Sequence, residues 1–123
     1  MTHSPYSRYY RDKADKLFMQ RYRGKPCAVC GTCMGTVGHH LLSKGAYPSL
    51  RCEPMNVIPL CDQHHGWSNI MAAHSTNADA VKAFDVWLSI AHAPRVYWMR
   101  DAMQAKGGRV NWREVWEGLR GEK

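Results

Sequence analysis

Apolar positions in the first part of the chain recur every three to four residues. Tyr6, Tyr10, Ala14, Leu17, Phe18 and Tyr22 make one stripe, which predicts a helix over residues 4–22. Ser4 suits the N-cap and Pro5 the first helical position, and Gly24 with Pro26 stops the run. The helical period returns over residues 77–92, where Ala80, Val81, Phe84, Leu88 and Ala91 form the buried stripe with Trp87 alongside. Pro94 breaks that helix, and a further one over 95–105 ends before Gly107-Gly108. A last helix has a clear start: Asn111 is a good N-cap, Glu114 sits at its third position, and Val110 can staple to Val115. Its apolar side, Trp112, Trp116 and Leu119, needs a surface to pack on, either this chain's own core or a second subunit.

The middle reads differently. Two short strands are expected at 37–42 and 56–60, followed by a helix at 62–72 with Asp62 as N-cap and Trp67 in the core. Gly31, Gly35 and Gly38 predict a tight turn leading into the first strand. Gly45, Pro48 and Pro54 argue for an irregular loop over 43–55. The expected fold class is α+β. A basic N-terminal helix (1–26) precedes a compact core (27–76), and a helical segment (77–123) packs on that core or on a partner, with a homodimer through these last helices as the second option.

A chain of 123 residues buries a marginal core, and a metal staple is a common remedy at this size. The formal charge is +7, and Arg8, Arg11, Lys13, Lys16, Arg21 and Arg23 crowd the first helix. That balance fits an anionic partner, most simply DNA, although for each of these residues a solvated helix face is the plainer reading. The cysteines number five, an odd count, and their spacing is that of metal ligands rather than of a disulfide framework, which predicts a reducing cytoplasm. No run is apolar enough to span a bilayer, and no signal-peptide core is present.

The candidate chemistry falls into two sets. Cys27-x2-Cys30 and Cys61-x2-His64 are two knuckles, each able to present two ligands from one tight turn, and together they predict a closed structural zinc site. Cys33 has the same spacing from Cys30, so the first pair could shift by one knuckle. Cys52 has no such partner and reads as a free, packed thiol. The second set is surplus to a structural finger: adjacent His39 and His40, Asn56 at the head of the second strand, and His65 directly after the last zinc ligand. Histidine is the usual side chain for a metal ligand or a general base near neutral pH. Asn69 lies four residues after His65, on the same side of the expected helix. The plainer alternative is a zinc finger with surface histidines.

The string Cys-x2-Cys, His-His, Asn, Cys-x2-His-His resembles the HNH nucleases, the ββα-metal fold. GHHLLSK, NVIPLCDQHH and AAHSTNADAVKAFDVWL are similar to phage-encoded HNH proteins of the NinG/Rap type, over roughly residues 15–92. The resemblance implies a DNA endonuclease acting in a host cytoplasm. On it, His40 is the general base, His39 and His65 hold a catalytic divalent metal, and His74 or Asn69 supplies a further ligand. Asn56 braces the loop that aims His40, and Lys44 and Arg51, in the loop that folds over the site, contact phosphate. His39 stands where Asp or His is usual, so the metal set is rich in nitrogen and should accept Mn2+, Ni2+ or Co2+ as well as Mg2+. His64 replaces the commoner second cysteine of the downstream knuckle, so His64 and His65 could exchange roles. The alternatives are a zinc-stapled DNA-binding module without catalysis and a protein-interaction zinc domain.

Overall fold

A computed structural model describes residues 2–105 and 107–121. It is a mixed structure of helices around one small two-stranded sheet, compatible with the α+β class. Helix α1 spans Arg8–Gln20 and buries Ala14 and Phe18. It begins later than the apolar stripe suggests. The Ser4 hydroxyl accepts the Tyr6 N–H (3.2 Å) and the Ser7 N–H donates to the Ser4 carbonyl (3.0 Å), so residues 4–7 form a turn and Ser7 takes the N-cap position.

Strands β1 (Val37–His40) and β2 (Val57–Leu60) pair antiparallel, with His39 opposite Ile58 and His40 opposite Val57. Both are shorter than expected, because Leu41 and Leu42 already turn into the connecting loop and Asn56 still belongs to the 3-10 turn that closes it. Side chains alternate across a strand, so His39 and His40 leave β1 on opposite faces. Gly38 shares a face with His40, and a Cβ there would come within 2.8 Å of the Met19 Cε and 3.1 Å of the Tyr22 Cγ. The missing side chain is what lets the end of α1 lie against the ribbon. On the other side are Cys27, Ile58, Leu60, Cys61, Phe84 and Leu88, a buried cluster in which two of the six residues are cysteines of the knuckles.

The β1–β2 loop is more regular than its prolines imply. It contains two turns of 3-10 helix, Pro48–Leu50 and Pro54–Asn56, each with its proline in the first turn. Proline is tolerated there because the N–H it lacks would have no helical partner.

The helix expected over 62–72 is not formed. A single π turn spans Gln63–Trp67, closed by the Ser68 N–H on the Gln63 carbonyl (2.8 Å). Ser68 then takes an extended backbone, and its hydroxyl accepts the N–H groups of Ile70 (3.1 Å) and Met71 (3.2 Å). This local bonding competes with helix propagation and ends it. Trp67, expected in the core, is therefore left 78% exposed.

Helix α2 (Ala78–Ala91) is capped by Asn77, whose Oδ1 accepts from the N–H of Asp79 (2.9 Å) and Ala80 (3.4 Å). Ala80, Phe84 and Leu88 of its stripe are buried, whereas Ala91 is exposed. The chain breaks at His92, and Pro94 stands in the first turn of α3 (Ala93–Gln104), so it starts one helix rather than only ending another. Helix α4 (Trp112–Gly121) opens with Asn111 Oδ1 accepting the Glu114 N–H (3.0 Å). Its apolar side packs on α1 of the same chain: Trp112 is buried, Trp116 meets Tyr10 at 5.6 Å between centroids, and the Arg113 N–H donates to the Pro5 carbonyl (3.0 Å). No helix among the described residues is long and apolar enough to cross a membrane.

Candidate functional site

The two knuckles are built by local backbone bonds and then brought together by the hairpin. The Gly31 N–H donates to the Cys27 carbonyl and the Cys27 N–H to the Thr32 carbonyl, both at 2.8 Å, with Gly31 at φ +80° to close the turn. The Ala28 N–H donates to the Pro59 carbonyl (2.8 Å), which fixes this knuckle beside the end of β2. Cys61 follows β2 directly, and the His65 N–H donates to its carbonyl (2.8 Å), starting the π turn that swings His64 inward.

The ligand atoms of Cys27, Cys30, Cys61 and His64 all lie within 4.8 Å of one another. Cys30 and Cys61 are 3.7 Å apart between sulfurs, and the His64 Nδ1 is 3.2 Å from the Cys61 sulfur and 3.8 Å from that of Cys27. A tetrahedron with Zn–S bonds of about 2.3 Å and Zn–N bonds of about 2.0 Å has edges of about 3.8 Å between sulfurs and about 3.5 Å from sulfur to nitrogen. The observed edges match. Burial opposes ionisation of the Cys27 thiol, yet the N–H groups of Cys30, Cys61 and Val29 and the Cys61 thiol point at its sulfur and bring its pKa below the usual thiol range. Burial raises the Cys61 thiol, which the other two sulfurs reinforce. A thiolate cradled by backbone donors beside crowded neighbouring thiols is what a cation would stabilise. These four residues can hold a structural metal such as zinc. Cys33 is exposed and outside the cluster, so the first pair is Cys27 with Cys30.

The second cluster is His39, His65 and His74, whose ring nitrogens also come within 4.8 Å of one another. Their ring centroids are 5.2 Å (His39–His65), 4.7 Å (His39–His74) and 5.1 Å (His65–His74) apart, all steeply inclined. Each comes from a different place in the chain. His39 lies on β1, 7% exposed, with its ring edge-on to Phe84 of α2. His65 is in the π turn and half-buried. His74 is delivered by two backbone bonds that lay its segment along that turn, Ala73 N–H to the His64 carbonyl (2.9 Å) and His74 N–H to the His65 carbonyl (2.8 Å), and it is exposed. Burial, then the neighbouring His74, His65 and His40, pull the pKa of His39 down to about 3, and burial and His74 also lower that of His65. His39 is therefore a neutral imidazole at pH 7, with a lone pair available to a metal. Three imidazoles opening to solvent leave coordination positions unfilled by protein, unlike the closed set of four.

His40 ends β1 with its Nε2 2.9 Å from the Arg51 carbonyl. A carbonyl only accepts, so Nε2 carries the hydrogen and Nδ1 keeps a free lone pair. Burial lowers its pKa, so it too is neutral at pH 7. No protein-family model, curated protein or solved structure matches this chain.

The remaining predicted residues fall as follows. Asn56 is fully buried and braces the loop: its Oδ1 accepts the Leu42 N–H (2.7 Å), and its Nδ2 donates to the carbonyls of Leu42 (3.0 Å) and Leu50 (3.2 Å). Arg51 was expected to contact phosphate but is buried, with its Nε on the Pro48 carbonyl (3.2 Å) and its own carbonyl on His40. It shapes the loop from within. Lys44 is exposed, 3.8 Å from the Asp15 carboxylate. Asn69 is exposed, and the helix that would have stacked it over His65 is absent. Two residues carry weight without any sequence signal. Arg95 of α3 donates through Nη1 to the carbonyls of Pro54 (2.9 Å), Met55 (2.9 Å) and Val57 (3.3 Å), clamping the loop's return into β2. Asp15 of α1 holds Lys44 and sets its charge against His40. Neither belongs to a motif, and only the packing of distant elements reveals them.

Proposed function

We propose that this chain is a metal-dependent endonuclease of the HNH type that hydrolyses DNA phosphodiester bonds. The observation that carries the reading is the three-imidazole cluster on one face of the hairpin with His40, its Nδ1 free, at the end of the same strand. On this reading the scissile phosphodiester wraps around that end of the ribbon, because His40 leaves β1 on the face opposite His39. The donor set fits a divalent transition metal: all nitrogen, His39 neutral at pH 7, and open on one side, which favours Co2+ or Ni2+ over Mn2+, and Mn2+ over Mg2+. Bound there by His39, His65 and His74, such a metal would act as a Lewis acid on the phosphate and the departing oxygen.

The chain's own residues supply the rest. His40 takes the proton of the attacking water on Nδ1 while Nε2–H stays on the Arg51 carbonyl, so the ring neither rotates nor changes its anchor. The water oxygen bonds to phosphorus as the bond to the 3′ oxygen breaks, leaving a 5′-phosphate and a 3′ oxyanion that takes a proton from solvent to become the 3′-hydroxyl, while His40 returns its proton to solvent. Lys44 offers an exposed ammonium to a flanking phosphate, and Asn56, Arg51 and Arg95 keep the loop in place. The Cys27–Cys30–Cys61–His64 cluster is the HNH core's structural zinc site on this reading.

The test is cleavage of plasmid and linear DNA by the purified chain with Mg2+, Mn2+, Co2+ and Ni2+ in turn, beside His40→Ala. General-base removal should slow cutting by about 10²- to 10⁴-fold with the fold unchanged. DNA binding without cleavage under any metal would overturn the enzyme reading in favour of a non-catalytic module.

A further inference from the structure

A cleft of about 610 Å3 lies between the β1–β2 loop, the end of α3 and the approach to α4. Four aromatic rings line it: Tyr6, Tyr47, Trp98 and Trp112. Trp112 is buried and forms a fixed wall, while Tyr6 is 42% exposed. The walls meet where Gly107 approaches the loop so closely that a Cβ would lie 2.6 Å from the Ser49 hydroxyl. On the lip, the exposed Arg109 places its guanidinium 4.2 Å from the Tyr6 ring centroid. Arg11, also in the lining, already pairs with Asp12 (3.1 Å), but no carboxylate among the described residues pairs with Arg109.

The size is that of a small-molecule site and takes a nucleotide with room to spare. Flat rings with a cation beside them are how proteins hold bases that are not paired, since every base has a stacking face and its phosphate needs a positive partner. A base inside a duplex is already stacked on its neighbours and cannot enter. The charge also continues beyond the lip: Lys13 (5.1 Å) and Arg120 (4.6 Å) lie over Trp116, while Arg113, 5.8 Å from the Tyr10 ring, is already paired with Glu117 (3.0 Å). The cleft is tied to the proposed active site by one short segment. Pro48 and Leu50 line the cleft, and the next residue, Arg51, bonds back to Pro48 and holds His40.

We infer that this cleft is a subsite for an unpaired nucleobase of a DNA strand, stacked against Tyr6 and Trp98 with its phosphate on Arg109. The inference rests on the nucleic-acid reading above and sharpens it: the preferred substrate carries single-stranded character.

Fluorescence anisotropy tests it, using the full chain without added divalent cation and one labelled 12-nucleotide sequence as a single strand and as a duplex. The single strand should bind at least tenfold more tightly. Trp98→Ala and Tyr6→Ala should each weaken single-strand binding about tenfold, a typical effect of removing one stacking ring, and leave duplex binding unchanged. Trp98→Phe should restore most of the affinity, and thermal melts should match wild type. If Trp98→Ala fails to fold, Tyr6→Ala and Arg109→Ala, both at exposed positions, carry the test. The subsite is overturned if these variants leave single-strand binding unchanged or weaken both forms equally. Failure of any oligonucleotide to bind wild type would instead remove the nucleic-acid reading itself, and the subsite with it.

Discussion

Cys27, Cys30, Cys61 and His64 sit on two tight turns anchored in the buried core through Cys27 and Cys61, with Cys30 at the surface, whereas His39, His65 and His74 come from a strand, a π turn and an irregular segment, and reach solvent at His74. The two clusters are neighbours, since His64 belongs to one and His65 to the other. Yet the first is part of the hydrophobic core, through Cys27 and Cys61, and the second lies at its edge. A metal in the sulfur cluster would be a folding element, because removing it leaves thiols in the middle of the core. A metal in the imidazole cluster would be exchangeable, because the three rings are already held by backbone bonds and by Phe84. One turn can serve both because consecutive side chains on it point in different directions.

The contrast breaks most easily by removing one ligand from each side. Cys61→Ser should abolish bound zinc and cooperative folding. Structural zinc contributes about 10–16 kcal/mol in small zinc domains, as much as or more than the about 5–15 kcal/mol by which whole domains are stable. His39→Ala or His65→Ala should keep the zinc and a cooperative melt while losing, on the proposed nuclease reading, cleavage. Metal analysis and circular dichroism on the variants check this. If His65→Ala loses zinc and His64→Ala keeps it, the two histidines have exchanged roles.

A smaller effect separates the loop from both clusters. Asn56→Ala removes three hydrogen bonds from a fully buried position and strands the Leu42 N–H. The expected cost is about 2–4 kcal/mol, seen as a fall in Tm of about 10 °C. Metal content should stay whole, and on the proposed nuclease reading cleavage should fall because the loop whose Arg51 carbonyl holds His40 is loosened. A melt like that of wild type would show that the loop is held by Arg95 and its own 3-10 turns without Asn56.

What could be read in advance follows the range of the forces involved. The knuckle ligands were legible because a two-residue spacing is a local geometric requirement. The same holds for α1, α2 and α4, whose apolar stripes, and for α4 the Asn111 cap, act within a few residues, whereas the Asn77 cap of α2 emerges only in the structure. The helix over 62–72 was misjudged because a ββα arrangement with Asp62 as cap says nothing of the Ser68 hydroxyl, which takes the N–H groups the helix needs. Without that helix, Trp67 and Asn69 go to solvent. His74 was suggested only by resemblance. Its position depends on backbone bonds to residues 64 and 65, which no side-chain pattern encodes. Arg51 read as a phosphate contact, and its burial follows from a loop that turns back on its own Pro48 carbonyl. Arg95 reaches carbonyls about forty residues away, and periodicity cannot announce such a contact.

The finest test of the contrast uses the cysteines as reporters. Cys33 is exposed and outside the sulfur cluster, so iodoacetamide at pH 8 should label it first. Cys52 is half-buried, and burial, reinforced by the Asp15 charge, pushes its pKa up to about 12 from 9.0. A shift of that size lowers its thiolate fraction about a thousandfold, while the greater nucleophilicity of a more basic thiolate recovers about thirtyfold. The net expectation is labelling about thirty times slower, before its limited access is counted. Cys27, Cys30 and Cys61 should stay unlabelled while metal is bound and react together once a chelator is added, so mass spectrometry should show one adduct before chelation and four after it. Manganese added to the metal-loaded protein should leave this pattern unchanged, because its imidazole site contains no sulfur. Labelling of Cys27 at the rate of Cys33 in metal-loaded protein would mean that the sulfur cluster is as open as the histidines beside it, and the division of labour between the two clusters would fail.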